Sequence, residues 1–168
     1  MVIDNVLQNK LTPGIYGFRG EYSFLSNFYP VDILIPNEDG VDELYKSAEH
    51  FFMSCKVNPN SIHYHQLRKQ IMDSPTGAMA KKFASRHVML RPNWYDFYRL
   101  PSMWKALSYK FAIPEMWDML NATGDLHIEE TNAWKDNFWG VYQGEGKNML
   151  GKFLMNIRSE YRKTNESI

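Results

Sequence analysis

The sequence has one cysteine, no excess of charge of either sign and no long hydrophobic run. Cys55 is the only cysteine, so no disulfide forms within the chain, and one thiol beside ten methionines fits a reducing compartment. Nineteen basic residues balance nineteen acidic ones, so the basic excess typical of duplex-binding proteins is missing. No apolar run approaches the roughly 20 residues that span a bilayer. Residues 1–10 carry Asp4 and lack the apolar region of a signal peptide. The sequence therefore predicts a cytoplasmic protein without a membrane partner.

What the sequence does have is material for a core. Of its 168 residues, 44% are hydrophobic and 15% aromatic, which suffices for one domain. No internal repeat, low-complexity tract or linker divides the chain. We expect a single domain over residues 1–168.

Strand signals dominate the first part of the chain. A turn sequence, Asn37-Glu38-Asp39-Gly40, separates apolar residues 31–35 from residues 41–45, which predicts a β-hairpin. Further short strands are predicted over residues 15–18 and 125–130, the latter because Leu126 and Ile128 alternate with polar residues.

Helical periodicity takes over after Ser47, a good N-cap residue. We predict helices after Ser47, over residues 61–73, from Pro75 to Phe83, within residues 93–110 with a break at Pro101, from Pro114, and from Lys147 onward. The predicted fold class is α+β, mostly helical, with a small antiparallel sheet.

The first candidate for chemistry is Glu49, in the string Ser47-Ala48-Glu49-His50-Phe51-Phe52. A helical wheel places Glu49 at the edge of the apolar face, where lost hydration would raise the pKa of its carboxyl and suit it to proton transfer. The alternative is a solvated first-turn glutamate favoured by the helix dipole. His50 points the other way, as an orienting or surface residue.

The second candidate is Asp136, which lies between Trp134 and Trp139. An acid flanked by tryptophans could face a flat heterocycle held by stacking. The alternative is an aspartate that stabilises a loop through an Asx turn, with Trp139 in the core.

The third candidate is the segment Gly144-Glu145-Gly146-Lys147-Asn148 at the predicted start of the last helix. Glycines let the backbone approach a ligand, and free N–H groups at a helix N-terminus attract anions. The pattern lacks the first glycine and the Ser or Thr of a Walker A loop. It favours a phosphate site over a flexible turn. His63 and His65 lack partners at zinc-ligand spacing, so we predict no metal site.

Taken together, these segments resemble the NADAR (YbiA-like) family. The strings that carry the resemblance run from Phe18 to Arg158: Phe18-Arg19-Gly20-Glu21, Phe24-Leu25-Ser26-Asn27-Phe28-Tyr29-Pro30, Ser47-Ala48-Glu49-His50-Phe51-Phe52, Asp136-Asn137-Phe138-Trp139-Gly140, Gly146-Lys147-Asn148-Met149-Leu150-Gly151 and Leu154-Met155-Asn156-Ile157-Arg158. Each string is modest, but their order and spacing are specific. The resemblance implies a YbiA-like fold with a core over about residues 16–158.

The resemblance also implies an activity. Members of the family include N-glycosidases that act on ribosylated, phosphorylated pyrimidine intermediates of riboflavin synthesis, and others are linked to removal of ADP-ribose from guanine. By resemblance, Glu49 and Asp136 match the acidic active-site positions, and Trp94 a pocket tryptophan. The motif Ser26-Asn27-Phe28 is expected near the ribose-phosphate, and Lys147 with Asn148 match a polar pair at the last helix.

The resemblance thus predicts a hydrolase that cleaves the C–N glycosidic bond of a ribosyl-phosphate or ADP-ribosyl compound without a cofactor. ADP-ribosylated nucleic acid is a second candidate partner. Glu49 would be the general base or cation stabiliser and Asp136 its partner in one cleft, or the reverse. Trp94 and Trp139 would stack on the base, and Lys147, Asn148, Arg19 or Arg86 would hold phosphate. The alternative is a non-catalytic module that binds NAD or ADP-ribose.

Two departures from the family pattern bear on these assignments. Ser85-Arg86 stands where many members have Gly-Arg, and the segment from Glu129 to Asp136 is slightly longer than usual. The second departure affects the direction in which the Asp136 carboxyl points.

Overall fold

The structure, a computed structural model, describes residues 12–166, with side chains through residue 164. The fold is α+β and mostly helical, as predicted, and its sheets are small. Residues 1–10, to which the signal-peptide prediction applied, lie outside the described residues. Within residues 12–166, no helix is both long enough and apolar enough to cross a bilayer. The chain forms two compact units.

The first unit combines the start and the end of the described chain, residues 12–26 and 117–166. Strand β1 (Gly14–Tyr16) pairs in parallel with β4 (His127–Glu129), with Ile15 opposite Ile128. A 3-10 helix (Gly20–Leu25) follows β1, and the long helix α6 (Met149–Glu166) packs on β4. The apolar core of this unit contains Ile15, Leu25, Ile128, Leu150, Leu154 and Ile157.

The second unit spans Asn27–Met116. Its hairpin pairs β2 (Ile33–Pro36) with β3 (Asp42–Tyr45) in antiparallel register. The other elements are α1 (Ala48–Ser54), α2 (Tyr64–Asp73), α3 (Gly77–His87), a π-helical turn (Trp94–Tyr98) and α4 (Arg99–Phe111), and α5 (Pro114–Ala122) begins at its end. Helix α1 contacts α2, α3 and α4, which explains why all seven of its residues are buried.

The local sequence signals that were confirmed have simple causes. The Asn37 side chain accepts hydrogen bonds from the N–H groups of Asp39 and Val41, which closes the predicted hairpin turn. Ser47 is the N-cap of α1 and accepts from the N–H of His50 at 3.4 Å. Pro114 is the first residue of α5, where a missing N–H costs nothing.

The predicted break at Pro101 was wrong. Pro101 is the third residue of α4, within the first turn, where backbone N–H groups have no intrahelical partner to lose. The π-helical turn Trp94–Tyr98 leads directly into this helix. The periodicity also did not predict the parallel pairing of β1 with β4, because that contact joins segments more than 100 residues apart.

Candidate active site

Glu49 is a charged residue buried at the start of a buried helix. It lies in the first turn of α1 and is 2% exposed. Burial raises the pKa of its carboxyl from 4.5 to about 7. Of the two readings that the sequence left open, the structure favours the desolvated acid over the solvated first-turn glutamate. A carboxyl with this pKa exchanges a proton near neutral pH.

Two lysines and one amide oppose this rise in the pKa of Glu49. Among the effects that lower the pKa of Glu49, the charge of Lys81 on α3 is the largest. The charge of Lys56 and a hydrogen bond from Asn27 follow in that order. Burial and Lys81 lower the pKa of Lys56, while Glu49 raises it. The cluster thus combines one buried acid with two lysines, and their combined charge attracts a further anion.

Asn27 fixes the orientation of Glu49 through both its backbone and its side chain. The N–H of Glu49 donates to the carbonyl of Asn27 at 2.8 Å, and the Asn27 amide donates to the Glu49 carboxylate. Asn27, expected from the family motif near the ribose-phosphate, therefore contacts the acid itself. The side-chain hydrogen bond is made to Oε2 of Glu49.

Aromatic rings border the same cluster. Lys81 Nζ lies 5.5 Å from the centre of the Phe28 ring, and Lys56 Nζ lies 5.0 and 5.7 Å from those of Phe52 and Trp94. Phe52 and Trp94 themselves pack with centroids 5.2 Å apart. Trp94 is only 3% exposed, so its ring supports Phe52 and Lys56. Its predicted stacking on a base stays a prediction.

Gly77 lets α3 approach this cluster closely. A Cβ at position 77 would lie 3.1–3.2 Å from Ser47 Oγ, Glu49 Cβ and Phe28 Cδ1. Any side chain here would press on the acid, its cap and the ring beside it. Glycine at the first position of α3 therefore determines the dimensions of the site.

Sequence reasoning missed both Lys56 and Lys81. Lys56 follows Glu49 by seven residues, which is about two helical turns, so the periodicity that placed Glu49 could also have found it. Lys81 lies four residues after Gly77, on the same face of α3. That face could not be related to Glu49 without the packing of α3 on α1.

His50, the neighbour of Glu49, has a structural role. Its Nδ1 lies 2.8 Å from Ser47 Oγ and its Nε2 lies 3.1 Å from the carbonyl of Ser74. Burial lowers the pKa of its imidazole. A neutral ring that donates from Nε2 and accepts at Nδ1 satisfies both contacts, so His50 holds the N-cap residue in place.

The first unit contains the second predicted acid, Asp136, in a tight turn. Its Oδ1 accepts hydrogen bonds from the N–H groups of Phe138 and Trp139 at 3.0 and 2.8 Å. The Asn132 side chain accepts from the N–H of Asp136 and donates to its carbonyl. This is the turn-stabilising alternative that the sequence had left open. The prediction that Asp136 also takes part in the reaction stays a prediction.

A further acid, Glu130, was not singled out from the sequence. Burial and the nearby Asp136 raise the pKa of its carboxyl to about 7, against the lowering effect of Arg19 and of a hydrogen bond from the Phe18 backbone. Arg19, a predicted phosphate ligand, therefore lies near the Glu130 carboxyl. The signal available was the position of Glu130 at the end of the predicted strand 125–130.

The predicted anion site at the start of the last helix is not formed by free backbone N–H groups. All four backbone N–H groups at this helix start have a carbonyl acceptor. The pairs are Lys147 with Asn137, Asn148 with Gly140, Met149 with Phe138 and Leu150 with Trp139. The Asn148 amide is also taken up, by the N–H of Glu130 at 3.1 Å and the carbonyl of Ile128 at 2.8 Å. The part of the prediction that relied on a helix N-terminus was therefore wrong.

Lys147 itself is exposed, with Nζ 5.4 Å from the centre of the Phe138 ring. Trp139 is half-buried, packed edge-on against Phe138 with centroids 5.0 Å apart. Phosphate binding by Lys147 and Asn148, and stacking by Trp139, stay predictions.

Two other predicted residues, Ser26 and Arg86, lie at the ends of their helices. Arg86 is exposed and lies nine residues after Gly77, roughly half a turn from the face that Gly77 presents to Glu49. The structure thus does not bring Arg86 to Glu49. Ser26 ends the 3-10 helix, where its N–H donates to the carbonyl of Ser23.

Comparison with known proteins gives this arrangement a context. The model of the NADAR domain family matches residues 16–162. The N-glycosidase YbiA of Escherichia coli is 30% identical over 162 residues, which cover 94% of this chain and 92% of that protein. Its NMR structure superimposes with a TM-score of 0.75 at 27% identity, covering 94% of this chain and 90% of the other.

Two relatives carry names from riboflavin biosynthesis. A riboflavin biosynthesis protein of Vibrio vulnificus is 29% identical over 161 residues. The chloroplastic riboflavin biosynthesis protein PYRR of Zea mays is 29% identical over 147 residues. The matched regions cover 93% and 83% of this chain. The chain spans only 41% and 23% of the lengths of these two proteins.

Proposed function

Because the chain belongs to the NADAR domain family, we propose that it is a hydrolase that cleaves the C–N glycosidic bond of a ribosyl-phosphate or ADP-ribosyl compound. The observation that supports this most is the buried Glu49, whose carboxyl has a pKa of about 7 beside Lys56, Lys81 and the Asn27 amide. A site that only bound a ligand would not need a carboxyl at such an energetic cost.

The chemistry follows from the bond that breaks. As the ribose C1–N bond opens, its electron pair leaves with the base nitrogen and positive charge develops on the ribose. The Glu49 carboxylate stabilises that charge and accepts a proton from the water whose oxygen bonds to C1. The base leaves carrying a proton from an acid, the role proposed for Asp136 as the partner of Glu49. No cofactor enters this balance.

The charges around Glu49 suit a phosphorylated substrate. Lys56 and Lys81 offer two cations for one carboxylate, so the cluster has a net positive charge that attracts a phosphate. Phe28 offers an exposed ring beside Lys81 for a sugar or base. Arg19, Lys147 and Trp139 are proposed as further substrate contacts in the first unit.

Two substrate classes fit this proposal. The first is a ribosylated, phosphorylated pyrimidine, which the family resemblance implies, and relatives of the chain are named for riboflavin biosynthesis and for N-glycosidase activity. ADP-ribose attached to guanine offers the same C1–N bond with two phosphates. The first class suits metabolite hydrolysis and the second reversal of ADP-ribosylation.

The test is incubation with a panel of ribosyl phosphates, NAD, ADP-ribose and DNA carrying ADP-ribosylated guanine, with mass spectrometry for the released base. We expect release from at least one ribosyl compound by the wild type and none by Glu49→Gln. Glu115→Gln, at an exposed carboxyl on α5, is the matched control and should behave as wild type.

Binding should be measured alongside release. If the wild type binds a panel member tightly and releases no base from any, the chain is a binding module and the proposed hydrolysis is wrong. If Glu49→Gln binds the substrate of the wild type but does not turn it over, Glu49 acts in the reaction.

A further inference from the structure

A small cavity lies on the side of α1 that faces away from Glu49. It has a volume of about 60 Å³ and lies entirely within the second unit. The α1 residues that line it are Phe51, Ser54 and Cys55, which follow Glu49 by two, five and six positions. Because an α-helix has 3.6 residues per turn, these positions lie on the opposite face of α1 from Glu49. The cavity is therefore separate from the Glu49 cluster.

Three cations line this cavity, each from a different part of the second unit. Arg68 belongs to α2, Arg91 to the segment after α3 and Lys105 to α4. The side chains of Arg68 and Arg91 are only 14% and 18% exposed. Burial raises the pKa of the Cys55 thiol, and the charges of all three cations oppose that rise. The three positive charges thus converge on one place.

The carboxylates that pair with these cations are fewer than the cations. Glu43 pairs with Arg68, and Glu38 pairs with Arg91 at 3.0 Å. The Glu38 side chain is 72% exposed, so water screens its charge. Lys105 has a neutral partner, because its Nζ donates to the carbonyl of the last residue of β2 at 2.7 Å. The surroundings of the cavity therefore have an excess of positive charge, which attracts an anion.

Both guanidinium groups are fixed by tyrosines. Arg68 donates to the hydroxyl of Tyr45 at 2.7 Å and to that of Tyr64 at 3.3 Å. The Cζ atom of Arg91 lies 3.9 Å from the centre of the Tyr98 ring. Donors that are already ordered in the free protein lose little conformational entropy when a ligand binds.

The volume and the donors of the cavity suit a tetrahedral oxyanion. About 60 Å³ admits roughly four water-sized groups. Guanidinium groups donate paired N–H groups to phosphate oxygens, and an ammonium group adds a point charge. We propose that this cavity binds a phosphate group, as inorganic phosphate or as a phosphate monoester, through Arg68, Arg91 and Lys105. This inference goes beyond the proposed function and does not depend on it.

The only cysteine of the chain provides a readout at the site, because Cys55 lines the cavity. The test is the rate at which iodoacetamide alkylates Cys55, with and without inorganic phosphate, at an ionic strength held constant with chloride. Phosphate should slow alkylation of the wild type several-fold, because it covers the thiol. Arg91→Gln and Lys105→Gln should lose this protection. Lys69→Gln, at an exposed lysine beside Arg68 on α2, is the matched control and should keep it.

Calorimetric titration with inorganic phosphate measures the affinity. Arg91→Gln and Lys105→Gln should each weaken binding roughly 10–100-fold, the equivalent of one charge-assisted contact. A parallel titration with ribose 5-phosphate distinguishes the two sources of the phosphate group. Tighter binding of the ester than of inorganic phosphate identifies an ester site, and weaker binding identifies a site for the free ion.

A further variant separates this cavity from the Glu49 cluster. Lys81→Gln removes a cation beside Glu49 and should leave the protection of Cys55 by phosphate intact. A thermal melt shows that each variant is folded. Lys105→Gln changes a partly exposed side chain, so it tests the site even if Arg91→Gln does not fold.

Three results would overturn this inference. The first is a wild type that binds no phosphate and whose Cys55 is alkylated at the same rate with and without it. The second is protection that persists in both Arg91→Gln and Lys105→Gln. The third is binding that is lost in Lys81→Gln and kept in Lys105→Gln, which would place the phosphate at the Glu49 cluster. None of these results bears on whether the chain hydrolyses a glycosidic bond.

Discussion

At the scale of single residues, Glu49 lies where its charge costs free energy. Its carboxyl has a pKa of 4.5 in an unfolded chain and about 7 in the folded one, so the folded state holds the proton more tightly. The contribution of Glu49 to stability is therefore greatest below pH 4.5 and is lost as the pH rises through 7.

This sign gives a stability prediction. Glu49→Gln should raise the free energy of unfolding at pH 8 by roughly 1–3 kcal/mol, because the variant buries no charge. The gain should shrink towards pH 4.5. Thermal or urea unfolding across this range measures it. Glu115→Gln should show no such pH-dependent difference, and a variant less stable than wild type at pH 8 would contradict the account.

Lys81 gives a prediction for the reaction. Its charge lowers the pKa of Glu49, so Lys81→Gln should raise that pKa and move the acidic limb of the pH–rate profile to higher pH. The neighbouring Lys82 is exposed on the same helix, and Lys82→Gln is the matched control. The measurement is kcat against pH for the wild type and the two variants. If the acidic limb of Lys81→Gln lies at the same pH as that of the wild type, Lys81 does not affect the pKa of the acid.

The sequence predicted that Glu49 belongs to the site, but not which residues of other elements contact it. Glu49 could be placed at the edge of an apolar face from the spacing of Phe51 and Phe52. Whether its carboxyl was solvated depended on α3, which packs on α1 through Gly77. No local pattern carries that contact, and so Lys81 was missed.

At the scale of elements, hydrogen bonds hold the loop before α6 in place. Asn148 has a left-handed backbone with φ of 49° and a buried amide that bonds two backbone groups of the β4 segment. Lys147, one residue earlier, is exposed. Adjacent residues of one predicted phosphate motif thus have separable roles.

Asn148→Ala should lower the free energy of unfolding by roughly 1–3 kcal/mol, because two buried backbone groups lose a partner. Asn148→Gly removes the same amide and relieves the left-handed strain, so it should be less destabilising than alanine. Urea unfolding measures both. Equal stability of Asn148→Ala and wild type would show that the amide does not clamp β4.

Lys147→Ala should leave stability within about 0.5 kcal/mol of wild type. If Lys147 binds phosphate, KM for a phosphorylated substrate should rise by the equivalent of roughly 1.5–3 kcal/mol, with little change for its dephosphorylated counterpart. Steady-state kinetics on the matched pair decide. An equal loss on both substrates would give the lysine another role.

The elements show where local signals suffice. The hairpin and the caps of α1 and α5 follow from Asn37, Ser47 and Pro114, each acting within a few residues. The predicted helix break at Pro101 was wrong because the effect of a proline depends on where the helix begins. Helix α4 begins directly after the π-helical turn, two residues before Pro101. The sequence did not decide between an Asx turn and an active-site role for Asp136, because an aspartate suits both.

At the scale of the whole molecule, the proposed reaction depends on carboxylates and not on a metal. A divalent cation beside the ribose would oppose the positive charge that develops there. Exhaustive chelation, checked by elemental analysis, should therefore leave most of the turnover rate intact. Mild stimulation by magnesium is compatible with a phosphorylated substrate. Complete loss of activity, restored by one particular ion, would contradict the two-carboxylate chemistry.

The most direct test of the central claim is the rate of base release against pH, for wild type and Glu49→Gln at saturating substrate. We expect the wild-type rate to rise with pH through about 7, as the Glu49 carboxyl loses its proton. Glu49→Gln should be slower by on the order of 10²-fold or more, with no rise in that range. A variant that keeps the wild-type rate and the same rise would show that Glu49 is not the group that accepts the proton.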